Sequence, residues 1–84
     1  MPESHDAFRA ALVAAFGGRM HMAVAASLAL SPSTVSGWVE GRRFPARVSV
    51  EDVATACGLR AQQRRELLGL YDQAARERAE ARKP

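Results

Sequence analysis

Three observations predict an all-α fold of about five short helices. Apolar residues recur at helical spacing in separate segments, Phe8, Ala11, Leu12, Ala15 and Phe16 early, and Leu67, Leu68, Tyr71, Ala74 and Ala75 late. Residues that stop or start helices punctuate the chain at Gly17-Gly18, Ser31-Pro32, Gly41, Pro45 and Gly58. No segment shows the bounded apolar–polar alternation of a strand. The 84 residues suffice for one domain. The helical pattern assigns residues 1–75 to it and leaves 76–84 as a charged helical extension or tail.

The first helix is expected to be capped by Ser4 or Asp6 and to run to about Phe16, where Gly17-Gly18 ends it. The second covers roughly His21 to Leu28. Ala29 stands where the chain must turn, and a left-handed alanine there carries about 1 kcal/mol of strain. Ser31 reads as an N-cap and Pro32 as the first residue of a third helix, where proline's missing N–H does no harm. That helix ends near Gly41. Arg42 to Val48 reads as a loop. Ser49 and Asp52 form a variant capping box for the fourth helix, with Gly58 beyond its end. The fifth starts near Ala61, and from Arg76 its charged residues predict fraying.

Residues Val24 to Trp38 carry the most information. Val24 and Leu28 share one helix face and Val35 and Trp38 another, with Ala29-Leu30-Ser31-Pro32 between them. This is the pattern of two short helices crossing over a tight turn, with Leu30 plugging the gap. Such a unit can put the N-terminal end of its second helix into the DNA major groove.

Composition narrows the function classes. Hydrophobic residues make up 48% of the chain, many of them alanines, so the core is small and stability modest. The aromatics Phe8, Phe16, Trp38, Phe44 and Tyr71 are expected to anchor it. The net charge is +3, and Lys83 is the one lysine among 12 basic residues. Two readings of the arginines stand side by side: GC-rich coding, or the fit of guanidinium to phosphate and guanine. The lone cysteine, Cys57, allows no internal disulfide. The acidic N-terminus lacks a signal-peptide pattern, and the apolar runs are too short to span a membrane. The expected location is the cytoplasm, at the bacterial nucleoid. His5, His21 and Cys57 are scattered, and no phosphate loop or nucleophile–base pair is visible, so neither an enzyme nor a cofactor is expected.

DNA contact is the chemistry the residues favour. Ser33, Thr34, Ser36 and Gly37 are expected on the outward side of the third helix as base-reading positions. An internal glycine costs a helix about 1 kcal/mol, which a close backbone approach to a groove would explain. An ordinary solvated face is the plainer reading. Ser and Thr discriminate bases poorly, so sequence preference needs help from arginine. Arg42, Arg43 and Arg47, with Phe44 among them, are the phosphate or minor-groove candidates, against a plain solvated loop anchored by Phe44. Arg19 and His21 add phosphate contacts at the start of the second helix. Met20 and Met22 read as core or hinge filler. Arg60, Arg64 and Arg65 read as solvated.

With these residues in view, the chain resembles a known family. Val24-Ala25, Leu28-Ala29-Leu30-Ser31, Thr34-Val35-Ser36, Trp38 and Gly41-Arg42-Arg43-Phe44-Pro45 are similar to the Cro and phage-repressor (XRE-like) helix-turn-helix domain, in versions common in actinobacteria. Val53-Ala54 and Ala56-Cys57-Gly58-Leu59 fit its fourth helix, and the likeness covers roughly residues 8 to 75. The resemblance implies a compact five-helix, lambda-repressor-like domain whose third helix reads the major groove. Members are mostly transcription regulators, often repressors and often dimers on palindromic sites. The chain departs from the pattern at His21, where glutamine is usual, at Ala29, where glycine is usual, and at Val39, where an acidic residue is common. Leu70, beside the main stripe of the fifth helix, and Ala74 could form a two-fold seam. A dimer sets two third helices about 34–36 Å apart. The alternative is a protein-interaction module, an adaptor or antitoxin on the same fold, with weak non-specific DNA binding and a protein partner.

Overall fold

The apolar faces fold into five helices in a computed structural model that describes residues 3–82. In order they are α1 (Glu3–Phe16), α2 (His21–Ser27), α3 (Pro32–Glu40), α4 (Arg47–Ala56) and α5 (Ala61–Ala81). No strand occurs among the described residues. The radius of gyration, 12.3 Å, matches the roughly 12 Å of a compact domain this long. The fold is all-α, as the periodicity predicts.

α1 and α5 form the most extensive helix pair and α2 and α3 the next. Phe8, Leu12 and Phe16 bury the inner face of α1 against Val24, Val35, Trp38, Val50, Val53, Leu67 and Tyr71 from the other four helices. Phe44 joins from the α3–α4 loop, stacked on Tyr71 with ring centroids 5.2 Å apart and tilted against Phe8 at 5.8 Å. The expected aromatic anchors are all in this core or packed against it.

The helix ends explain the connections. Ala29 has φ 57°, the left-handed conformation its position demands. Leu30 N–H donates to the Ala25 carbonyl at 2.9 Å and Ala29 N–H to that of Ala26 at 3.3 Å, which satisfies the end of α2. Ser31 caps α3 by accepting from the Thr34 N–H, with Pro32 in the first turn. Gly41, φ 82°, ends that helix.

Several expectations need correction. α1 begins before Ser4 and Asp6, so neither caps it. Ser4 is buried with no partner for its hydroxyl, and Asp6 pairs with Arg9 one turn on. α4 starts at Arg47, two residues before Ser49, with Ala46 as an N-cap that makes no side-chain bond. Contacts with α5 hold that first turn instead: Tyr71 O–H donates to the Pro45 carbonyl at 2.9 Å, and Arg47 binds Asp72. Leu30 is 38% exposed, and Leu28 is the residue packed on the core. Met20 and Met22 are 71% and 63% exposed, not core filler.

α5 continues six residues past position 75, so the expected boundary between domain and extension falls inside a helix. The Arg78 guanidinium lies 5.0 Å from the centre of the Phe44 ring, which ties this end of α5 to the core. Positions 83–84 lie outside the described residues. Ala74 is 0% exposed and packed within the single chain. It therefore has no surface to give a two-fold seam, and Leu70 is itself half-buried against the core. Among the described residues no single helix is long and apolar enough to cross a membrane. α1 and α2 would suffice only as a pair, and they meet at 80°.

Candidate nucleic-acid interface

The N-terminal end of α3 is open to solvent. Ser31, Pro32 and Ser33 are exposed and Thr34 is half-buried. Ser31 Oγ is shared between the Ser33 hydroxyl at 3.2 Å and the Thr34 hydroxyl at 2.9 Å. The three hydroxyls thus form one small polar cluster at the start of the helix. Ser33 and Thr34 retain hydrogen-bonding capacity, whereas Ser31, which also accepts from the Thr34 N–H, uses its one donor and two acceptor sites.

Two of the four expected base-reading positions turn inward. Ser36 is half-buried and lies 3.2 Å from Nδ1 of His21. Gly37 is buried, and a β-carbon there would stand 3.1 Å from both Cγ and Cδ of Arg43. The glycine makes room for the stem of that arginine rather than for an approaching groove. Its carbonyl accepts from the N–H groups of both Arg42 and Arg43, at 2.9 and 3.1 Å. The α3–α4 loop is therefore folded back onto α3 at Gly37.

The cation candidates also divide. His21 joins α2 to α3 through Ser36, and its ring meets Phe16 edge-on at 5.6 Å. It packs helices together at the position read as a phosphate contact. Arg19 is exposed and donates through Nη1 to the Phe16 carbonyl at 3.0 Å, closing the end of α1. Arg42 pairs with Glu40 at 2.8 Å. Arg43 carries no ion pair among the described residues.

Arg47 is committed to structure. It binds Asp72 through Nε at 3.0 Å and Glu51 through Nη1 at 2.9 Å. The hydrogen bond and the charge of Asp72 are the main causes that raise its pKa further above the ordinary arginine value. Two carboxylates compete there with any phosphate, so Arg47 is a clamp between α4 and α5. Arg64 is likewise used internally, donating to the Thr55 hydroxyl at 3.0 Å.

Sequence reasoning missed Arg9 and Arg78, which share a small cleft with Arg43. They lie on different helices, 69 positions apart, so no spacing links them. The only signal was the expectation that Phe44 is anchored in the core, since Arg78 stacks on that ring. Among the described residues no three His, Cys, Asp or Glu side chains gather as a metal site.

No family model matches the chain, and neither a curated protein nor a solved structure matches it.

Proposed function

We propose that this chain binds double-stranded DNA in a sequence-specific way as a transcriptional regulator, most simply a repressor, of the phage-repressor helix-turn-helix type. The observation that carries the reading is the α2–α3 pair. Two short helices cross over a turn closed at a left-handed Ala29, and the N-terminal end of the second is exposed. In such units that end enters the major groove. Ser33 and Thr34 are the base-edge contacts in this proposal. Arg43, Arg42 and Arg19 reach phosphates beside them.

Two short hydroxyl side chains discriminate bases weakly, so phosphate contacts and DNA shape carry much of the preference. Ser36, Gly37, His21 and Arg47 act by holding the unit together. A dimer, if one forms on DNA, uses a surface other than Ala74.

A second reading is a protein-interaction module. The exposed pair Met20 and Met22, at the start of α2, favours it, because adaptable methionines suit a protein partner. Selection from a random duplex library by the whole chain, near physiological salt, separates the two. Enrichment of a palindrome with half-sites one helical turn apart is expected for a dimeric regulator, and a single half-site for a monomer. No enrichment would defeat the DNA reading and favour the protein partner, because specific binding survives salt that removes non-specific binding.

A further inference from the structure

Arg9 from α1, Arg43 from the α3–α4 loop and Arg78 from α5 line one small open cleft, with Phe44 among its walls. His5 also lines the cleft. Its ring stacks on Phe44 at 5.7 Å, and its Nε2 donates to the Ala74 carbonyl at 3.2 Å. We infer that this cleft is a phosphate-binding site, in which the three arginines hold the oxygens of one phosphate group at its mouth.

Charge is the first argument. Like charges gathered at one place repel, and the field they create attracts an anion. Among the described residues Arg9 alone of the three has a carboxylate partner, the exposed Asp6. Arg43 and Arg78 have none.

Size and shape choose the ligand class. The cleft has an accessible volume of ≈ 20 Å³. That is about enough for one water-sized atom, so a whole metabolite does not fit inside. What fits is one oxygen of a group presented from outside. Three forks arriving from three separate elements suit the several oxygens of a phosphate better than the two of a carboxylate. Guanidinium is the side chain whose geometry matches phosphate. The phosphate is either a free anion or part of a nucleic-acid backbone. Only the second source rests on the DNA reading. Arg43 makes that source sterically reasonable, because its stem lies on Gly37 of α3.

The test observes the arginine side-chain N–H resonances of the full chain by NMR. Inorganic phosphate is added at constant ionic strength with chloride as the control. The expected result is a saturable, concerted shift of Arg9, Arg43 and Arg78, with exposed Arg65 unmoved. Arg78→Gln should weaken that binding about tenfold or more, the loss of one charge-assisted hydrogen bond. Arg9→Gln repeats the test without disturbing the contact with Phe44, should Arg78→Gln fail to fold. No shift, or an equal shift of Arg65, overturns the site.

A duplex DNA arm then distinguishes the sources. Shifts of the same three arginines, with the salt slope of Arg78→Gln shallower by about one unit, assign the site to the nucleic-acid backbone. An unchanged slope beside intact phosphate binding assigns it to free phosphate. Absence of any duplex binding, with phosphate binding still lost in Arg78→Gln, defeats the DNA reading and leaves the site standing.

Discussion

Tyr71 fills the core with its ring and holds the α3–α4 loop with its hydroxyl, which reaches the Pro45 carbonyl at 2.9 Å. Tyr71→Phe removes that bond and leaves the carbonyl unpaired. The expected loss is about 1–3 kcal/mol, seen as a lower urea midpoint with unchanged slope. Burial, and secondarily the charge of Asp72, raises the phenol pKa above 10.0. The fold thus prefers the protonated phenol. Its contribution is complete below the unfolded pKa and falls as pH rises through the higher folded one. Unfolding followed by Trp38 fluorescence from roughly pH 9 to 11 should show this decline, and Tyr71→Phe should remove it. Gly37 behaves differently. Alanine there gains about 1 kcal/mol of helix propensity and needs only a small shift of the exposed Arg43 stem. A higher melting temperature is expected for Gly37→Ala, together with a displaced Arg43 resonance. The sequence marked Gly37 as a position needing no side chain. It did not reveal the reason, because the atoms that fill the space belong to a residue in the following loop.

At the level of helices, legibility follows local chemistry. Ser31-Pro32, Gly41 and Gly58 act on neighbouring backbone groups, so the ends they set were readable. The turn at Ala29 was readable for the same reason. Ala29→Gly should relieve the positive φ and stabilise the chain by roughly 1 kcal/mol, checked by denaturant titration. A helical continuation past Arg76 was readable from its charge pattern, but the start of α4 and the tie of α5 to the core were not. Both depend on partners distant in sequence, Arg47 on Asp72 and Arg78 on Phe44. Ser49 and Asp52 have the composition of a cap, yet the helix is already under way when the chain reaches them. A tertiary clamp replaces the local signal.

Across the whole molecule, the apolar stripes determined the fold class because each stripe needs another to cover it. The arginines were harder to read, since charge alone does not distinguish a clamp from a contact. Arg47 and Arg64 turned out to bind α4 and α5 together, while Arg43 is left without an ion pair among the described residues. Under the DNA reading, Arg43→Ala should weaken binding to all duplexes alike and reduce the salt slope by about one unit, measured by titration at several salt concentrations. An unchanged slope removes Arg43 from the interface. The dominance of the α1–α5 pair also bears on how the chain is made. Translation delivers α1 first and α5 last, separated by several seconds at roughly 5–20 residues per second. During that interval Phe8, Leu12 and Phe16 lack their principal cover. The first helix therefore waits for the fifth, and the core can close only once α5 has emerged from the ribosome.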